Sequence, residues 1–223
     1  MLKPQFPKLS IFETFKTKRE QPTGEATRQR HIISHLAKED NSALTTRTAI
    51  AQNIAKKNNL LWKNIYSGLF YAMEESLIPL GIVVEAGRLP LKRGPKALQE
   101  SGVPYYRLTT KGLLVALSID DFDQKKSVLD EFLSKAEIKE KEFVDVIRIL
   151  VKISPKFTYS MFEIYVKAFC EGKLKSLLPI SVSKFQEISD SSFIIQNELL
   201  TGFTTLPKSK KFDVLKFFSK FTQ

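Results

Sequence analysis

Lys63, Asn64, Ser67 and Tyr71 stand at positions i, i+1, i+4 and i+8, a spacing that puts them on one stripe of a helix. Their side chains suit a nucleic acid. A carboxamide bonds an adenine edge through two hydrogen bonds, and an ammonium group reaches guanine acceptors or a phosphate. Tyr66 borders the stripe. Downstream, GRLPLKRGPKALQESGVPYYRLTTKG (87–112) packs Arg88, Lys92, Arg93, Lys96 and Arg107 into a stretch broken by prolines and glycines. Cations so placed contact phosphates, and an arginine in a narrow groove reads shape rather than sequence. Arg47 stands near the start of another predicted helix, where its charge and the positive helix terminus both face phosphate. The plainer readings are that Lys, Asn and Ser solvate a helix face and that Arg107 pairs with Glu85 on a neighbouring strand.

Other chemistries find little support. His31 and His35 are one helical turn apart with Glu39 four residues on, but no third histidine or cysteine stands nearby to complete a zinc site. They read as packing or surface residues. The single cysteine, Cys170, lies in an apolar pattern, excludes a disulfide framework within the chain and fits a reducing compartment. No phosphate-cradling glycine-rich loop is present, and GRLPLKRGPK lacks the G-K-[ST] ending. The expectation is a non-enzymatic protein without metal or cofactor.

Charge sharpens the nucleic-acid reading. The net charge is +11, and residues 1–119 hold 18 Lys+Arg against 9 Asp+Glu, whereas residues 120–223 hold 17 against 15. Nearly all the excess is in the first half, and such a field concentrates polyanions. No apolar run reaches the roughly 18 residues a membrane helix needs; GLLVALSI (112–119) is the nearest. The N-terminus carries Lys3 and Lys8 but no apolar core of a signal peptide, so a cytoplasmic protein is expected.

Elements must hold these residues. Residues 1–24 contain Pro4, Pro7, Pro22 and Gly24 and read as a flexible basic arm, with a short helical turn at SIFETF (10–15). Helices are predicted at 25–40, 45–59 and 60–78; Thr45 or Thr46 caps the second, Asn58-Asn59 stop it, and Pro79 ends the third. LGIVVEA (80–86) and YYRLT (105–109) read as strands, joined by a basic loop of about 18 residues, longer than ordinary hairpin loops. Gly87 and Gly94 permit unusual backbone angles there, Pro90 and Pro95 stiffen it, and Pro104 fixes the return. A short helix follows at 110–119. Helical spacing continues at 123–136, 139–153, 155–172, 182–200 and 209–221, with Pro155, Gly172, Pro179, Gly202 and Pro207 as breaks. Thirteen of the 17 Phe fall in this half. Phe143, Ile147, Leu150 and Val151 form one apolar face and Phe162, Val166, Phe169 and Cys170 another, read as core.

The fold class expected is mainly α with a small β-hairpin. TAIAQNIAKKNNLLWKNIYSGLFYAMEESLIPLGIVVEA resembles the helix-turn-helix of winged-helix transcription regulators, with Asn58 and Asn59 replacing the usual glycine of the turn. YYRLTTKG resembles the Y-x-LT-x-x-G with which many of those families close the wing, and KRGPKALQESGVPYYRLTTKG is similar to wings of archaeal winged-helix proteins. The resemblance covers about residues 40–119. It implies a winged helix-turn-helix domain at 25–119, followed by an all-α domain at 120–223 serving dimerisation, a ligand or a partner. It further implies a sequence-specific double-stranded-DNA-binding protein, a transcription regulator acting as a homodimer, with the third helix in the major groove. Its DNA-contacting residues would be Arg47, Lys63, Asn64, Tyr66, Ser67 and Tyr71, with Arg88, Lys92, Arg93 and Lys96 in the wing. The same fold also serves as a protein-interaction module in transcription or replication assemblies. A continuous basic face favours DNA; interruption by Glu74, Glu75, Glu85 and Glu100 favours the module. Base stacking on Tyr66, Tyr71, Tyr105 and Tyr106 is a third use, for single strands or RNA.

Overall fold

The computed structural model describes residues 7–18, 20–59, 61–91, 95–119, 125–136, 141–188 and 191–219. These form eleven α-helices and one two-stranded antiparallel sheet. Lys92, Arg93 and Gly94, and residues 1–6 of the expected arm, lie outside them.

The chain begins docked rather than free. Leu9, Ser10 and Ile11 are buried, and Glu13 N–H closes a turn onto the Ser10 carbonyl at 2.8 Å. The reason lies on α1 (Gly24–Leu36), whose Gln29 is fully buried. Its Oε1 accepts from Ser10 N–H at 2.8 Å, and its Nε2 donates to the Lys8 carbonyl at 3.1 Å and to Glu25 Oε1 at 3.0 Å. Thr14 bridges to Pro22, and Thr23 then caps α1 by accepting from Ala26 N–H at 3.1 Å. For residues 7–24 the flexible arm is therefore corrected. Two apolar anchors and a satisfied buried amide outweigh the Pro-rich composition.

Thr46 caps α2 (Arg47–Lys57), which buries Ile50, Ala51, Ile54 and Ala55. The Asn58 side chain donates to the Ile54 carbonyl at 2.8 Å, and Asn59 takes the left-handed φ of 53°. Asparagine tolerates that region better than other side chains, so the pair turns the chain without glycine. Then α3 (Trp62–Tyr71) runs into a wider π-turn at Ala72–Leu77. The third predicted helix is therefore α-helical for only part of its length. The wide turn keeps Ala72, Met73, Ser76 and Leu77 all facing the core.

Two strands follow, β1 (Val83–Leu89) and β2 (Val103–Leu108), with Val83 opposite Leu108 and Leu89 opposite Val103. The register shifts between Glu85 and Gly87, where Tyr105 packs over the glycine. Ahead of α2, Thr46 bridges to Tyr105, and Tyr106 N–H reaches the Thr45 carbonyl at 3.1 Å, so a third extended segment lies along the hairpin. Between the strands, where a loop was expected, KALQES forms α4 (Lys96–Ser101).

The LTxxG segment locks the hairpin to α5 (Thr110–Leu117). Thr109 Oγ1 accepts from Gly112 N–H at 3.2 Å and donates to the Gly81 carbonyl at 2.6 Å. A methyl at Gly112 would sit 2.2 Å from the Ile82 carbonyl oxygen, so only glycine permits this approach. Residues Gly112 to Leu117 are all buried. A helix apolar on every side needs cover on every side. It packs on α1 and β2, and also on α6 (Lys125–Lys135) and α8 (Pro155–Cys170).

The fold therefore divides differently from the sequence reading. One compact unit runs through Val182, past the expected boundary at 119/120, because α5 is core to both sides. Within it, α7 (Lys141–Ile153) packs on α8. Phe143, Ile147, Phe162 and Val166 are buried as read, while Leu150, Val151, Phe169 and Cys170 are half-buried. Phe132 and Phe162 meet edge to face at 6.2 Å. The second unit is Ser183–Gln223. The helix expected at 182–200 is two, α9 (Val182–Glu187) and α10 (Ser191–Thr205), followed by α11 (Lys208–Ser219). Gly202, expected as a break, lies inside α10 with nothing crowding it.

Candidate nucleic-acid interface

The α2–turn–α3 pair and the β1–β2 hairpin carry the expected site residues. On α3, Lys63 and Ser67 are exposed one turn apart. Asn64 falls at the same register, and its side chain lies outside the described ones. The helix begins at Trp62, and Leu61 ahead of it supplies no side-chain cap. Tyr66 is half-buried, with its ring edge-on to Trp62 at 5.9 Å. Tyr71 is exposed, but it lines a groove with Lys8, Glu13, Glu25 and Glu75, in which carboxylates outnumber the one cation. The stripe therefore stays electropositive at the N-terminal end of α3 and turns acidic at the other.

Arg47 is not an open phosphate contact. Its guanidinium pairs with Glu74 from the π-turn and lies 4.5 Å from the Phe70 ring centroid and 5.4 Å from that of Tyr106. Its Nε is buried and has no hydrogen-bond partner among the described residues. Tyr106 beneath it is buried, and burial pushes its phenol above the ordinary range, against the opposing pull of Arg47.

The hairpin cations are likewise engaged. Arg88 donates to Glu85 from Nε at 2.7 Å and from Nη2 at 3.3 Å, and its Nη1 reaches the Ser101 carbonyl at 3.4 Å. Glu85 is thus taken by Arg88 from its own strand and not by Arg107, which is exposed across from Val84. Lys96 stands 3.9 Å from Glu100 on α4, both well exposed. Ion pairs this exposed are worth about 0–1 kcal/mol, so a phosphate competes for either cation. Lys92 and Arg93 lie outside the described residues.

Lys56 and Lys57, exposed at the end of α2 beside the turn into α3, were not singled out from the sequence. The signal was there in KKNN, two cations next to the turn residues. His35 is buried, with Nε2 2.9 Å from the Leu44 carbonyl oxygen, and no group of three metal-ligating side chains occurs among the described residues.

Compared with family models, curated proteins and solved structures, the chain finds no match.

Proposed function

We propose that this chain is a winged-helix protein that binds double-stranded DNA sequence-specifically, a cytoplasmic and non-enzymatic regulator of transcription. The observation that carries the reading is α3. It follows a tight asparagine turn from α2, exposes Lys63 and Ser67 at its uncapped end, and is followed by a hairpin on the half of the chain that holds most of the excess positive charge. In that reading the α3 N-terminus enters the major groove, and Arg88, Lys92, Arg93 and Lys96 anchor phosphates. No helix among the described residues is long and apolar enough to cross a membrane.

Binding of random-sequence duplex DNA at two salt concentrations tests it. With about six phosphates neutralised, the logarithm of affinity should fall with the logarithm of salt at a slope near −5. Changing Arg88, Lys92, Arg93 and Lys96 to Ala should reduce both affinity and slope. Selection from a random pool then yields a preferred sequence, whose advantage Lys63→Ala should reduce. An affinity that ignores salt sinks the reading.

A specific observation favours a second reading, the protein-interaction module. Glu74, Glu85 and Glu100 sit against Arg47, Arg88 and Lys96, which divides the basic surface. If duplex DNA fails to bind at low salt, the charged hairpin is a surface for a protein partner.

The homodimer belongs to the same proposal. On α10, Ile194, Ile195, Leu199 and Leu200 are at least half exposed, as are Phe212, Leu215 and Phe217 on α11. Exposed apolar surface of this extent marks an interaction site, and a second copy would supply the second half-site reader.

A further inference from the structure

A cleft of about 340 Å³ opens between α1 and α2, a volume toward the low end of small-molecule pockets. Arg30 and Ser34 line it from α1, spaced i and i+4, with Lys38 in the turn just past its end, and Asn53 and Lys57 face them from α2, spaced i and i+4. The nearly buried Ile54 side chain forms part of the wall. Among the described residues that line it there is no carboxylate. Elsewhere in this half Lys8, Arg28, Arg47, Arg88 and Lys96 each pair with a glutamate. Here Arg30 and Lys57 join no ion pair among the described residues. Three cations around one concave space focus positive potential into it.

A second, independent feature lies in the same wall. The Asn53 carboxamide oxygen is buried and accepts no hydrogen bond among the described residues. Buried acceptors in folded proteins are nearly always answered. The ionised oxygens of a phosphate ester only accept, so they leave it unanswered. The cleft therefore suits a concentrated negative charge, together with an N–H or O–H donor that meets the Asn53 oxygen once its carboxamide turns out of the wall.

We propose that this cleft binds a small phosphorylated molecule of nucleotide size. Its phosphates lie against Arg30, Lys38 and Lys57, and a sugar hydroxyl or base amino group donates to Asn53. The site is separate from the α3 stripe, and the proposal does not depend on DNA binding.

Titration of the full-length protein with ADP, adenosine and inorganic phosphate, followed by calorimetry, tests it. ADP is expected to bind, with adenosine and inorganic phosphate each at least tenfold weaker. Joint Arg30→Ala and Lys57→Ala substitution should weaken ADP at least tenfold while leaving the far-UV circular dichroism unchanged. Asn53→Leu should weaken ADP severalfold with the far-UV circular dichroism unchanged. Absence of ADP binding at millimolar concentration, or undiminished binding by the double variant, overturns the proposal. So does inorganic phosphate binding as tightly as ADP. Duplex affinity is measured on the same variants. If the double variant loses duplex DNA and the wild type ignores ADP, the cleft is part of a nucleic-acid track; this proposal then fails and the DNA reading stands.

Discussion

Arg47 and Glu74 show how one ion pair reassigns a residue. The arginine starts α2, yet its charge is spent on a carboxylate 27 residues away and on two aromatic rings. Glu74→Gln removes the competitor while leaving the rings in place. Duplex affinity should then rise severalfold, with a steeper salt dependence, as one more cation becomes available to phosphate. Unchanged affinity and slope would mean that Arg47 serves the fold alone. Cys170 makes a different prediction. Burial, chiefly, pushes its thiol up to about 12. At neutral pH it is protonated, so alkylation by iodoacetamide should be much slower in the native protein than in urea. The sign for stability follows. The folded thiol holds its proton more tightly than the unfolded one, so this contribution is complete below the ordinary thiol pKa and is lost as pH rises toward 12. Melting temperatures of wild type and Cys170→Ser should accordingly converge or cross as pH rises above 9, a comparison that scanning calorimetry makes directly.

At the scale of elements, short local signals were legible in the sequence. Thr46 caps α2, the Asn58-Asn59 pair makes the turn, and the Thr109 of LTxxG caps α5, because each depends on atoms a few residues apart. The motif has a mechanical basis here. Gly112→Ala forces a methyl against the Ile82 carbonyl and should cost more than about 3 kcal/mol in urea unfolding, beyond the usual overpacking range. Thr109→Ala removes the cap of α5 and its tie to Gly81 and should cost about 1–2 kcal/mol. Gln29 was not legible, since a glutamine on a helix looks like surface until the chain before it folds back. Gln29→Leu strands the Ser10 N–H and should cost about 1–3 kcal/mol. Limited proteolysis reads it separately, as earlier cleavage between residues 7 and 20 than in wild type. The π-turn and α4 were also missed, the first because a widened turn has no composition of its own.

At the scale of the whole molecule, α10 and α11 of the second unit carry a run of exposed apolar side chains among the described residues. Seven side chains of Ile, Leu and Phe, each half to two thirds exposed, are more than isolated surface residues explain. At roughly 150–250 Å² for an aromatic side chain and somewhat less for an aliphatic one, the exposed part approaches the ~800 Å² each partner contributes to a standard interface. Light scattering after size exclusion should give a dimer at micromolar concentration, and Leu199→Asp with Phe217→Asp should give a monomer with undiminished helix content. A wild type that is monomeric at every concentration removes the homodimer from the proposal.

The sequence alone determined most of the helices, the two extended segments, the caps, the asparagine turn and the uneven charge, since all are properties of neighbours along the chain. Tertiary structure decided which cations are spoken for, where the compact unit ends, and that Leu9, Ser10 and Ile11 pack rather than trail. It also decided that Arg30, Lys38, Asn53 and Lys57 face one another across a cleft. Each of these is a meeting of residues distant in the chain, and the geometry that joins them exists only once the helices have packed.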